Sequence, residues 1–203
     1  MGVAVVSDLA GGIIETANAL GMDPVDLATI ISYETGGTFD PTQAGPKTQW
    51  GRHRGLIQFG EPQAREYGVD WSNPLGSQLG ADGAIARYYR ANGWQPGMGM
   101  MDAYSVVNAG GPGRYGASDA GNGGAPGTVA DKVNGQMAPH RAKAEALLAG
   151  YDRTNALAPA PAHGAAGMNA LAERDLWRPT LNQIDPSNFM TAFIPQRQES
   201  RNG

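Results

Sequence analysis

The 203-residue chain is long enough for one domain with a core and a short appendage. Its composition, 41% hydrophobic and 17% charged, suits a globular protein, and the absence of cysteine removes disulfides and thiolate metal sites. No apolar run reaches the roughly 18 residues of a membrane-spanning helix, and a net charge of −4 lacks the basic stripe of a nucleic-acid binder.

The N-terminus, MGVAVVSDLAGGII, has no basic leading region and carries Asp8 inside its apolar stretch, so it reads as structure and not as an export signal. Residues 5–20 place Leu9, Ile13, Ala17 and Leu20 at helical spacing, although Gly11-Gly12 weakens a helix by roughly 2 kcal/mol. A second helix follows, with Asp23 as N-cap, Pro24 at its first position and Leu27, Ile30 and Ile31 facing inward. It ends at Gly36-Gly37. Residues 35–55 read as loop with short extended pieces, 61–67 as a short helix opened by Pro62, 74–91 as a strong helix and 101–107 as another. A glycine-rich loop over 110–127 precedes a last helix over 129–148.

After residue 152 the character changes. Residues 156–167, ALAPAPAHGAAG, form an Ala/Pro/Gly linker. Residues 168–203 scatter large apolar side chains between Pro179, Pro186 and Pro195, too few for a core of their own. The organisation is therefore a domain over 1–152 and a linker with a partner-docking tail over 153–203. The first carries a net charge of −5 and the second +1.

Glu34 is the residue that raises a chemical question. It falls in the last turn of the second helix, where the macrodipole disfavours a carboxylate, with Ile30 and Ile31 one turn back and Tyr33 beside it. These influences raise a carboxyl pKa and suit a general acid. The bland reading is a solvated surface glutamate.

Further along stand Gly55-Leu56-Ile57-Gln58-Phe59 and then Ala103-Tyr104-Ser105-Val106-Val107-Asn108-Ala109-Gly110. In this order, ISYETGGTFDP, GLIQF and the Asn-Ala-Gly turn resemble the soluble lytic transglycosylase family, which shares a lysozyme-like helical fold with goose-type lysozymes. The resemblance spans about residues 5–150 and implies an all-α domain with a cleft. By it, Glu34 takes the position of the general acid, Thr35 stands where the family has Ser, and Gln58 matches a Gln lining the sugar cleft. Ile57 replaces the usual Met, and Asn108 matches the Asn of the third motif. The family's Tyr before that Asn is replaced by Val107, and Tyr104, one turn earlier, offers a phenol to the same face. Tyr115 is a candidate for the cleft edge.

A glycosidase normally needs a second carboxylate. The nearest in sequence are Asp40, explained by Asp-Pro turn chemistry, Glu61 at a helix start, and Glu66, while the loop over 43–54 has no acid. That favours a transglycosylase in which Glu34 works unaided and the substrate's own N-acetyl group and C6 hydroxyl complete the reaction. No cofactor and no metal is implied; His53, His140 and His163 are too dispersed to be ligands. Lys47, Arg52, His53 and Arg54 form a basic loop that either meets peptide carboxylates of the wall or merely solvates the loop. Trp50, Trp71 and Trp94 either stack sugars or pack the core. The glycine-rich loop lacks the lysine of a phosphate cradle and reads as a mobile cover over the cleft.

The expected partners are a peptidoglycan glycan strand and, through residues 154–203, other proteins of a phage particle. The expected location is the virion tail or internal ejection machinery, acting at the bacterial wall. Rival readings are a peptidoglycan hydrolase, a binding or structural module that keeps the cleft without the chemistry, a glycosidase of chitin-like polymers, and a bacterial housekeeping enzyme.

Overall fold

A computed structural model describes the backbone of residues 2–156 and the side chains of residues 8–151, all within one compact unit. Residues 153–156, expected to begin the linker, instead close the last helix, so the helix runs past the boundary expected after residue 152; the rest of the linker and tail, and His163, lie outside the described residues. The elements in order are α1 (Gly2–Leu20), α2 (Pro24–Glu34), a hairpin of β1 (Ala44–Thr48) and β2 (Gly51–Arg54), α3 (Glu61–Glu66), α4 (Pro74–Gln78), α5 (Ala84–Ala91), α6 (Met100–Ala109), α7 (Val129–Asp131) and α8 (Ala138–Ala156). The fold is mainly α.

α2 is the central helix. Its six consecutive residues from Leu27 to Ser32 are all buried, so it has no solvent stripe, where the sequence predicted a one-sided face of Leu27, Ile30 and Ile31. Small residues fill the other sides, and their polar groups are spent locally. The Thr29 hydroxyl donates to the Val25 carbonyl at 2.6 Å, and Ser32 Oγ lies 3.0 Å from His140 Nδ1 on α8. Asp23 caps the start by accepting from the Val25 N–H at 2.8 Å.

α1 runs uninterrupted through Gly11-Gly12 because close packing needs them. A Cβ at Gly11 would stand 3.1 Å from the Tyr151 ring of α8, and one at Gly12 would stand 3.0 Å from Leu79. A chain of edge-to-face rings, Phe59, Tyr88, Tyr89 and Trp94, runs through the core with centroids 5.7 to 6.2 Å apart. Their polar tips reach backbone carbonyls: Tyr88 to Val106 at 3.0 Å, Tyr89 to Ala103 at 3.2 Å, and Trp94 Nε1 to Leu20 at 2.8 Å.

Two helix expectations change, and the short extended pieces expected within 35–55 turn out to pair. Residues 44–54 form an antiparallel hairpin in which Ala44 opposes Arg54 and Lys47 opposes Arg52, with an irregularity between. The helix expected over 74–91 is two helices, because the chain turns at Gly80 and Gly83. The helix expected over 129–148 is broken by a π turn at Lys132–Gln136, just before Pro139, and then continues to Ala156.

Gln78, fully buried at the end of α4, joins three segments. Its Oε1 accepts from the Leu56 N–H at 2.8 Å, and its Nε2 donates to the carbonyls of Pro41 at 2.8 Å and Pro74 at 2.7 Å. One amide thereby fixes the GLIQF turn against the turn that follows α2.

Candidate active site

The end of α2 is set by two glycines in the left-handed region, Gly36 with φ 62° and Gly37 with φ 86°. The Gly37 N–H bonds the Ser32 carbonyl at 2.6 Å and the Gly36 N–H bonds that of Tyr33 at 3.2 Å, a paired C-cap that stops the helix directly after Glu34. The Lys143 ammonium of α8 packs on Gly37, next to the negative end of the helix dipole.

Glu34 is half-buried, and burial together with three neighbouring groups sets its proton affinity. Burial is the largest influence and raises its pKa; the neighbouring Asp119 carboxylate raises it further. The Lys132 ammonium and the Tyr104 hydroxyl, which donates to the carboxylate, act in the opposite direction. The balance leaves Glu34 pushed up from 4.5 to about 7. Either protonation state is then accessible near neutrality, as a group that must first give and later take a proton requires.

Tyr104, on α6, is almost wholly buried and its hydroxyl also faces the Asn108 amide at a long 3.5 Å. Its ring meets Tyr33 edge-on with centroids 5.6 Å apart. Burial and the charge of Glu34 hold the Tyr104 hydroxyl protonated, well above the ordinary phenol range. Tyr33 is pushed up to about 12 for the same two reasons, and its hydroxyl donates to Gln136 Oε1 at 2.6 Å.

Asp119 and Lys132 form an ion pair that sequence reasoning missed. The Lys132 side chain is 1% exposed and that of Asp119 30%. Lys132 opens the π turn, and its Nζ stands 5.9 Å from the centre of the Tyr104 ring. Asp119 lies in the glycine-rich loop, packed so closely on Gly124 that any Cβ there would collide with its carboxylate. That loop is tied down: Ser118 Oγ donates to the Gly127 carbonyl at 2.9 Å, Gln136 Nε2 to that of Pro126 at 2.7 Å, and Gly123 packs on Pro46 of β1. The readable signal was Lys132 itself, three residues after buried Val129 and therefore on an inward stripe where a lysine needs a partner.

The structure thus gathers Glu34, Tyr104 and Asn108 with Asp119 and Lys132. Asn108 Oδ1 and Gln58 Oε1 are both buried without a hydrogen-bond donor from the described residues. Gln58 stays on the hairpin side, at φ 55°, its Nε2 donating to the carbonyls of Gly55 at 2.9 Å and Gln43 at 3.2 Å. The other sequence-derived candidates go elsewhere. Thr35 is buried and its hydroxyl bridges the Ile31 carbonyl at 2.7 Å and the Phe39 N–H at 3.0 Å. Ile57 belongs to the core. Tyr115 is exposed, its hydroxyl donating to Asp102 Oδ1 at 2.7 Å.

The remaining acids and aromatics sort themselves similarly. Asp40 accepts from the Thr42 N–H and hydroxyl, both at 2.8 Å, which spends its carboxylate on its own turn. Glu61 accepts from the Arg52 N–H at 3.3 Å. Trp94 is in the core, Trp50 is exposed at the hairpin tip and Trp71 lies under Arg54. His53 braces the hairpin, with Thr48 Oγ1 3.0 Å from Nε2 and the Gln58 carbonyl 2.9 Å from Nδ1. Compared with protein-family models, with curated proteins and with solved structures, the chain matches none of them.

Proposed function

We propose that this domain is a lysozyme-like lytic transglycosylase that cleaves the β-1,4 bond between N-acetylmuramic acid and N-acetylglucosamine in peptidoglycan. The observation that carries the reading is the carboxyl of Glu34, pushed up to about 7 at the end of the central helix, with Tyr104 and Asn108 beside it. Protonated Glu34 gives its proton to the glycosidic oxygen as the C1–O bond breaks, and the substrate's N-acetyl group stabilises the positive charge at C1. The Tyr104 hydroxyl and Lys132 stabilise the carboxylate so produced. That carboxylate then takes the proton from the C6 hydroxyl as O6 bonds to C1, closing a 1,6-anhydro ring. The proton returns to Glu34 and no water is consumed.

Asp119 favours a second reading, hydrolysis, because it supplies the nearby carboxylate that Glu34 lacked in the sequence. Its ion pair with Lys132 argues against this, since a carboxylate whose oxygen is engaged by a buried ammonium is not free to orient a water for attack. Digesting purified peptidoglycan in water enriched in oxygen-18 separates the two. Transglycosylation gives unlabelled anhydro ends, and label at a reducing end rejects it in favour of hydrolysis. We assign delivery of the enzyme to a phage particle, with residues 154–203 as the docking segment; their Pro-interrupted aromatics supply anchors for a protein partner.

A further inference from the structure

A second site lies on the hairpin. A pocket of about 470 Å³ is lined by Arg52, Arg54, Arg65, Glu61, Phe59 and Trp71, with Ala64 and Val69 completing an apolar floor. Its size is that of a small-molecule site. Three guanidinium groups line this one pocket, in a domain whose net charge is −5. None of them is in an ion pair among the described residues. The one carboxylate, Glu61, is turned to the backbone of β2 and packs on Gly51.

Arg54 is oriented in advance. Its guanidinium carbon stands 4.3 Å from the centre of the Trp71 ring, and its Nε donates to the Thr42 carbonyl at 3.4 Å. Its backbone N–H bonds the Phe59 carbonyl at 3.0 Å, which fixes the arginine to the pocket floor. Arg52 is held through Nη1 on the Gly45 carbonyl at 3.2 Å. The terminal nitrogens of Arg54 and Arg65 have no hydrogen-bond partner among the described residues, so a two-pronged acceptor meets donors already in place.

We propose that this pocket binds the carboxylate of a short aliphatic peptide. Arg54 is its fork-like partner, Arg52 and Arg65 add attraction, and Phe59, Ala64 and Val69 receive a small side chain. The choice of a peptide rests on the wall-cleaving reading, in which glycan strands carry short peptides; recognition of a carboxylate rests on the pocket alone.

The test uses the full chain and needs no turnover. N-acetyl-Ala-Ala and its C-terminal amide are titrated separately at physiological salt, with the Trp71 indole and Arg54 side-chain NMR signals followed. The acid should shift both saturably and bind at least about tenfold more tightly than the amide. Arg54→Gln should lose about tenfold in affinity for the acid, whereas Glu34→Gln should bind it as the parent does. Equal binding of acid and amide, no saturable shift, or shifts confined to other residues would overturn the proposal. Inorganic phosphate binding more tightly than the peptide would also overturn it, in favour of a bare-anion site. The acid and amide comparison is made on the unaltered protein, so it stands even if Arg54→Gln misfolds.

Discussion

Glu34 holds its proton more tightly in the folded chain than in the unfolded one, and stability must follow. Between the ordinary carboxyl value of 4.5 and the folded value of about 7, the native state binds more protons, so stability falls as pH rises through that window. The full cost, on the order of 3 kcal/mol, is present above pH 7 and absent below 4.5. Glu34→Gln should therefore stabilise the fold by about that much at pH 8 and by nothing at pH 4, as urea titrations at the two pH values will show. Tyr104→Phe removes a hydrogen bond to the ionised form, so the alkaline limb of the rate profile should move up by about one pH unit. An unmoved limb would mean the phenol does not act on Glu34. The Asp119–Lys132 pair should be asymmetric. Asp119→Asn strands a buried ammonium, costing about 3–5 kcal/mol, whereas Lys132→Met leaves a carboxylate with access to water and should cost clearly less. Equal losses in chemical denaturation would contradict that placement.

At the scale of elements, the helices with both a cap and a terminator were legible. Asp23-Pro24 and Gly36-Gly37 bracket α2, and Pro62 opens α3. Burial of α2 on every side was not legible, because Ala28, Thr29 and Ser32 look polar or neutral until their neighbours are known. The split between α4 and α5 and the π turn before α8 depend on how Gly80, Gly83 and Pro139 meet the rest of the core, which periodicity does not record. For the candidate site, the helix-end setting of Glu34 was readable from its neighbours, and Tyr104 entered only through its spacing from Asn108 in the motif that the resemblance supplied. Asp119 was not, since it joins Glu34 only through the folding of a long glycine-rich loop. Gln78 is likewise a tertiary device. Gln78→Ala leaves the Leu56 N–H and two carbonyls unpaired, so it should cost on the order of 3 kcal/mol. It should also speed hydrogen exchange at the Leu56 amide. Slow exchange in the variant would show that the GLIQF turn holds without it.

For the whole molecule, the proposal gives the domain and the tail separate tasks. No helix of the described residues is long and apolar enough to cross a membrane. Truncation after residue 153 should leave the activity on purified wall intact while removing incorporation into the assembled particle; loss of activity with normal incorporation would reverse the assignment. The central claim is that one half-buried carboxylic acid, kept protonated by its surroundings, cuts the glycan strand. Its most direct test is kcat/KM against pH on purified peptidoglycan, with the parent protein and Glu34→Gln measured together. The account predicts a rate that falls as pH rises through about 7 and a loss of about 100-fold or more in the variant. Wall cleavage by Glu34→Gln at the parent rate, or no cleavage by the parent at any pH, would contradict it.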